Sequence, residues 1–334
     1  MKLLSILVPT FNRDSYLERL LCELSLQIKE SDTSDIVEVL IADNASSDNT
    51  KSIVNSHLSS NSNFSAIRHS SNIGAESNLI SLLESASGKF FWFIGDDDLP
   101  VAGLIKHVTR QLSSISPSLL YLPSVWAPDV LSIDLDQSEE LCFAPKTPLK
   151  TARDLYIWAT FISSWIVNAE QAFSSPSRLR QIVSLKGSNL PQLGWILPLL
   201  VQSQSKILVA SRPCILATSG NTGDYAILRT FIVNYPALVC RYTSDFSRMR
   251  FALIGKTVRY YMPSLIVSVR LGKAYRNWGD TAGIFSDSLK LLWYYPSFWL
   301  LCLPALFIPV KLIQFIHYLL SIFKQIVQNR RKLA

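Results

Sequence analysis

Gly88-Lys89-Phe90-Phe91-Trp92-Phe93-Ile94-Gly95-Asp96-Asp97-Asp98-Leu99-Pro100 is the stretch on which the fold of this 334-residue chain turns. Five apolar residues, Phe90 to Ile94, run straight into three carboxylates. An unbroken apolar run of this length is the signature of a central strand buried on both faces. Its abrupt acidic end suits a strand whose carboxyl terminus opens into a site, where open α/β sheets bind ligands. Adjacent acids repel one another, and a divalent cation with oxygen ligands relieves that repulsion. The competing reading is a solvated acidic turn, because Asp is a common turn former.

Upstream, the same pattern recurs. Leu3 to Val8 is a β-branched, apolar run closed by Pro9-Thr10 and reads as the first strand. A helix from about Ser15 follows, with Leu17, Leu20, Leu21, Leu24 and Ile28 on one face. Ile36 to Ala42 is a second strand, leaving through Asp43-Asn44-Ala45-Ser46-Ser47-Asp48. Ser47 or Asp48 is positioned to cap the helix that holds Ile53, Val54 and Leu58. Phe64 to Arg68 is a short strand. Asn72-Ile73-Gly74 turns into a helix, Ala75 to Ala86, with Leu79, Leu82 and Leu83 inward. Residues 1–100 thus alternate strand and helix three times, which predicts an α/β class with a mainly parallel wound sheet.

Farther on, Leu104 to Leu112 reads as a helix and Leu119 to Leu122 as a strand. Residues 123–150 show no period and read as a long loop or lid. Ala152 to Phe161 reads as a helix, Ser163 to Asn168 as a strand, and Trp195 to Val201 as a helix. Ile207 to Val209 and Pro213 to Ala217 read as a closing hairpin or paired strands. The polar Ser219 to Asp224 loop is the expected domain boundary. That divides the chain into 1–220, a helical extension 221–288 and an apolar, basic segment 289–334.

Charge follows the same division. Residues 1–220 carry a net −4 and residues 221–334 a net +11, within an overall +7. Half the chain is hydrophobic (49%), too apolar for a disordered protein. Positions 291–310 hold no charge over 20 residues, enough to span a bilayer. Pro296, Pro304 and Pro309 interrupt them, however, and aromatics crowd the first half, which favours a re-entrant or interfacial segment over a single span. Lys311 to Gln328 reads as an amphipathic helix, followed by Arg330-Arg331-Lys332. The pattern suits a helix lying on an anionic membrane surface, with a core-packing or dimerising helix as the alternative. The basic residues interleave with apolar ones rather than forming a stripe, which argues against nucleic acid. The five cysteines are scattered without a Cys-x-x-Cys pair, so neither a zinc site nor a disulfide framework is expected. Met1 to Pro9 is too short for a signal peptide.

Four stretches taken together resemble the family 2 glycosyltransferases of the GT-A fold. They are Ser5 to Arg13, Ile41 to Asp48, Asn72 to Asn78 and Gly95 to Asp98, in that order and spacing. Ser163 to Asn168 and Gly187 to Gln192 are most similar to abequosyltransferase-like enzymes of bacterial O-antigen assembly. The resemblance covers residues 1 to about 217. It implies a nucleotide-diphospho-sugar donor, with Pro9 and Thr10 meeting the base through main chain, and Asp43 and Asn44 framing its pocket. Asn72, Gly74 and Asn78 would line the floor under ribose and diphosphate, Gly74 permitting close approach. Asn12 and Arg13 belong to the same binding set, Arg13 toward phosphate. Asp96 and Asp98 would hold Mg²⁺ or Mn²⁺, with Asp97 as an alternative ligand, and would neutralise the leaving diphosphate.

One departure from the family pattern stands out. Many inverting members carry an acid at the start of the helix after the acceptor loop, as general base. Here the acceptor loop, with Ser188, leads to Pro191-Gln192-Leu193, and Gln192 cannot take a proton. Glu170 and Asp224 are the nearest candidate bases by region, and inverting and retaining chemistry both stay open. The expected acceptor is a hydroxyl of a lipid-linked glycan at the cytoplasmic membrane face. The alternative is a non-catalytic nucleotide-sugar-binding scaffold.

Overall fold

The computed structural model describes residues 2–133, 140–174, 176–220, 226–245, 247–272 and 281–315. The apolar runs become strands β1 (Leu4–Thr10), β2 (Val37–Asp43), β3 (Phe64–Arg68) and β4 (Phe90–Phe93). Helices α1 (Asp14–Glu30), α2 (Thr50–Ser60) and α3 (Ala75–Ser85) connect them. These four strands are mutually parallel in the order β3-β2-β1-β4. Register brings Thr10 level with Asp43, and Asp43 level with Arg68. The chain first winds outward to β3, then crosses back to β4 on the other side of β1. That reversal makes a crevice at the carboxyl ends of β1 and β4.

The remaining strands are β5 (Leu99–Pro100), β6 (Leu119–Tyr121), β7 (Ser124–Ala127), β8 (Phe143–Lys146), β9 (Trp165–Asn168), β10 (Ile207–Ala210) and β11 (Ile215–Thr218). The large sheet continues β4-β9-β6-β10-β8, with β9 antiparallel to both its neighbours and β8 antiparallel at the edge. β5, β11 and β7 form a separate small sheet. The expected mainly parallel α/β sheet is therefore present. Two details differ from expectation. Residues 123–150 contain β7, a 3₁₀ turn and β8 rather than an unstructured lid. β10 and β11 lie in different sheets and do not form a hairpin.

Burial explains the central strands. Leu4, Ile6, Leu7 and Val8 are sealed, as are Phe90 to Ile94. The expected α1 stripe of Leu17, Leu20, Leu21, Leu24 and Ile28 packs against them. On α3, Asn78, Ile80, Leu82 and Leu83 are buried, so Leu79, half-buried, is not the inward residue its spacing predicts. Asp48 does serve helix starts, in fact two of them. It accepts from Thr50 N at 3.1 Å and from Asp14 N at 3.0 Å. Burial pushes its carboxyl upward, but these hydrogen bonds prevail and hold it below the ordinary range.

The chain separates into two compact units, Met1–Asn221 and Thr222–Ala334. The second is helical where described, with π-type turns at Arg229–Asn234, Phe251–Gly255, Thr257–Tyr261 and Phe298–Cys302. The uncharged run 291–310 holds the end of the helix Thr281–Leu292, a break at 293–295 and a helical stretch over 296–307. Among the described residues no helix is long and apolar enough to cross a membrane. Most of the expected amphipathic helix 311–328, and the basic cluster 330–332, lie outside the described residues.

Gly88 is where β4 enters beside β1. A Cβ there would stand 2.6 Å from Ser5 N and 2.7 Å from Phe90 O, both backbone atoms. Gly88→Ala should therefore lower stability by about 1–3 kcal/mol, read as a reduced urea midpoint at unchanged slope.

Candidate active site

β1 delivers Thr10, Asn12 and Arg13 to the crevice. Asn12 has a left-handed backbone (φ 52°), which Asn tolerates better than most residues. Its N–H donates to Ser46 Oγ at 2.9 Å, and its Oδ1 accepts from Ser47 N at 2.8 Å. Asn44 N donates to Thr10 O at 3.0 Å. These bonds fasten the β1 exit loop to the β2 exit loop, so Asn12 is a brace between loops.

Asp43 is buried and doubly engaged. Its Oδ1 accepts from Ser46 N at 2.9 Å, and its Oδ2 pairs with Arg68 Nη1. Arg68 also donates to Ser46 O at 2.9 Å. Sequence reading treats Arg68 as a strand end only; its signal is the register that brings β3 level with Asp43. Asn44 donates to Asn72 Oδ1 at 2.9 Å and accepts from Ile73 N at 2.9 Å. Gly74 has φ 86°, and a Cβ there would meet nothing within 4 Å. The positive φ by itself favours glycine at this position. Asn78 is buried and donates to Ala42 O at 2.9 Å, while its Oδ1 has no partner. It bolts α3 to β2 beneath the pocket.

The acids at the end of β4 divide into two environments. Arg13 Nη1 lies 3.0 Å from Asp96 Oδ1 and 2.9 Å from Asp97 Oδ2. Asp98 turns the other way. Ser163 Oγ donates to its Oδ2 at 2.6 Å, and Thr218 N to its Oδ1 at 3.3 Å. Ser163 Oγ also accepts from Gly95 N at 2.9 Å, and Thr218 Oγ1 donates to Asp97 O. The triplet is thereby fixed at once from the start of α1, from the 3₁₀ turn Ile162–Ser164 that precedes β9, and from the end of β11. Burial pushes Asp98 up to about 8, and Asp97 and Asp96 add to it. Burial likewise raises Asp96 to about 6, against the pull of Arg13. Both shifts report carboxylates stripped of water with one guanidinium among three acids.

The donor chemistry fits a hard divalent cation. The triplet does not by itself form a cage, however. Among the described residues the one trio of His, Cys, Asp or Glu with ligand atoms within 4.8 Å is Glu18, Cys22 and His57, elsewhere on α1 and α2. A cation held by these acids would have to complete its shell with phosphate oxygens and water, as Mg²⁺ commonly does.

Glu76 at the start of α3 accepts from Gly187 N and from Asn189 N at 2.8 Å. It ties the Ser188 loop to the Asn72–Gly74 turn, a role the sequence reading misses. Gln192 is buried and donates through Nε2 to Thr160 O at 2.7 Å. Glu170 follows β9, and Asn168 of that strand pairs with Phe90. It therefore stands at the opening end of β4, a strand length from Asp96, and is not brought to the site. Asp224 lies outside the described residues.

This fold, a mixed and mostly parallel sheet with acids at the end of its central strand, is of the GT-A class. Residues 5–122 match the family described as glycosyl transferase family 2, and this segment belongs to that family. The abequosyltransferase RfbV of Salmonella typhimurium is 39% identical over 98 residues, 29% of this chain and 28% of that protein. The GalNAc(5)-diNAcBac-PP-undecaprenol beta-1,3-glucosyltransferase of Campylobacter jejuni is 33% identical over 109 residues, 32% of this chain and 34% of that protein. These alignments span about a third or less of either relative. Crystal structures of S. aureus TarS share the fold at 17% identity. The complex with UDP-GlcNAc has a TM-score of 0.59 over 80% of this chain and 75% of that one. The UDP complex gives 0.55 over 81% and 79%.

The raised acids predict a pH effect on the metal-free protein. A carboxyl whose folded value exceeds its unfolded one binds its proton more tightly in the native state. The stability that Asp98 contributes is full below its ordinary 3.8 and is lost as pH rises toward about 8. Asp96 acts in the same sense up to about 6. In chelator, the Tm of the wild-type chain should fall between about pH 5 and pH 8, and Asp98→Asn should flatten that fall. Parallel curves for the two proteins would refute the assignment.

Proposed function

We propose that the chain is a metal-dependent glycosyltransferase that moves a sugar from a nucleotide-diphosphate donor to a hydroxyl of a lipid-linked glycan. One observation carries this reading. The carboxyl ends of β1, β2 and β4 bring Thr10 and Arg13, Asp43 and Asn44, and Asp96 to Asp98 to one edge of the sheet. The family 2 segment and the names of its relatives, which act on sugars, support the same conclusion.

In this reading Asp43 and Asn44 frame the nucleobase, held ready by Arg68 and Asn72. Asp96 and Asp98 would hold Mg²⁺ or Mn²⁺, which would supply charge neutralisation for the departing diphosphate. Arg13, already beside Asp96 and Asp97, is placed to exchange a carboxylate for a phosphate oxygen as the donor enters. Ser163 and Thr218 fix the orientation of Asp98. Gln192 stands where an acid was expected, and its amide serves a backbone carbonyl. That observation favours a second reading, a nucleotide-sugar-binding subunit without transferase activity.

Membrane association belongs to the same proposal. Trp293, Trp299, Leu300, Leu301 and Phe307 are all exposed in the second unit. Apolar exposure of this density, in the basic third of the chain, suits docking on an anionic bilayer.

A thermal-shift panel of UDP-, dTDP-, CDP- and GDP-sugars with Mn²⁺ should raise the Tm with one of them, since a bound donor stabilises by mass action. With that donor, Asp98→Ala should cut transfer by at least about a hundredfold (about 2.7 kcal/mol of barrier). Undiminished activity in the Asp96, Asp97 and Asp98 variants alike would overturn the metal role. Donor binding without transfer or donor hydrolysis would favour the scaffold. Deleting residues 289–334 should shift the protein from membrane pellet to supernatant at low salt; an intact chain already in the supernatant rules out the anchor.

A further inference from the structure

We infer that Trp126, Trp158 and Phe161 form a stacking platform for a pyranose ring of the acceptor; the inference rests on the transferase reading above. Trp126 is 41% exposed and Trp158 is 42% exposed. Their rings lie 6.1 Å apart at 43°, and Phe161 backs Trp126 at 4.5 Å and 52°. Two exposed indoles side by side are unusual on a folded surface, and such patches mark binding grooves. Trp126 commits its N–H to Ser124 Oγ at 3.0 Å, which steadies the ring and leaves its face as the feature on offer. An aromatic face is electron-rich. The polarised C–H face of a pyranose complements it, and the sugar hydroxyls around the rim stay in water.

The segments that carry the platform adjoin those that hold the acids. Ala127, next to Trp126 on β7, pairs with Thr218, whose N–H donates to Asp98. Phe161 precedes by two residues Ser163, whose hydroxyl donates to the same carboxylate. A ring stacked here therefore lies beside the strand ends that orient Asp98, where an acceptor must approach.

Gln192 then acquires a role. The 3₁₀ turn that carries Trp158, Tyr156–Thr160, is held by Gln192 Nε2 on Thr160 O at 2.7 Å and by Trp165 Nε1 on Ala159 O at 3.1 Å. A carboxylate at position 192 would have no N–H to donate, and would set two acceptors against each other in a buried place. Gln192 is accordingly a positioning residue for the platform, and its amide is the group that this position requires.

The test uses the full chain with the stabilising nucleotide and Mn²⁺, and methyl α-glycosides of mannose, galactose and rhamnose as probes. Saturation-transfer NMR should show contact at the ring C–H protons of at least one glycoside. Trp126→Ala and Trp158→Ala should each weaken its apparent Kd about tenfold or more, with Trp126→Phe restoring most of the affinity. Gln192→Glu should weaken it likewise, by less at low pH, where the introduced carboxyl can donate. Circular dichroism checks that each variant is folded. Unchanged glycoside affinity in folded Trp126→Ala and Trp158→Ala variants overturns the platform, as does a wild-type chain that contacts no glycoside. Signal from phosphatidylglycerol vesicles alone would make the surface a lipid contact and also overturns it. Failure of every nucleotide sugar to shift the wild-type Tm would instead count against the donor reading, so the two failures are told apart.

Discussion

Burying carboxylates at the end of an apolar strand is the constraint to which the rest of the first unit responds. Asp96 and Asp98 are nearly sealed from solvent, and desolvation opposes their charge. The chain answers with one guanidinium, one hydroxyl and one backbone N–H, brought from a helix start, a 3₁₀ turn and a strand end. Those partners fix where the carboxylates point but leave negative charge in excess. In the proposed function that excess would favour a divalent cation. The order of the strands serves this arrangement: the turn after β1 supplies Arg13, while the turn before β9 and the end of β11 supply Ser163 and Thr218.

The donor half depends on braces that are individually modest. Asn12 links two exit loops, Asn44 links a third, and Asn78 pins the helix below them. Short amide side chains suit this work because each donates and accepts at once and tolerates turn geometry. In the proposed function these bonds would pre-arrange the edge that meets the nucleotide, which lowers the ordering cost of binding.

The parallel strands were legible because a strand buried on both faces reads as an unbroken apolar run; Leu4 to Val8 and Phe90 to Ile94 satisfy that plainly. β7 and β8 were not. Both are half-exposed, and β8 carries Pro145 at the sheet edge, where a missing donor is tolerated and an apolar run is not required. The candidate donor residues were legible as short polar stretches placed immediately after strands. Their partners were less so. Ser163 and Thr218 meet Asp98 across 65 and 120 residues of chain, and Arg68 meets Asp43 through strand register. No local spacing encodes such contacts. Gly74 adds a feature that spacing does not encode, a positive-φ backbone that favours glycine at the turn into α3.

The missing acid at Gln192 favours the non-catalytic reading only so far as no other group can serve at that point. An expected general base is an expectation about chemistry at one point in space, and different side chains can be recruited to that point. The structure gives position 192 a different task, since its amide holds the turn bearing Trp158. A carboxylate there would sacrifice that bond. Activation of the acceptor is thereby separated from its positioning: the aromatic turn would orient the hydroxyl, and leaving-group stabilisation at Asp96 and Asp98 would carry a larger share of the barrier. A sugar nucleotide already has a good leaving group once its charge is neutralised. Under that division of labour, a weak base or the departing phosphate itself would suffice to take the proton.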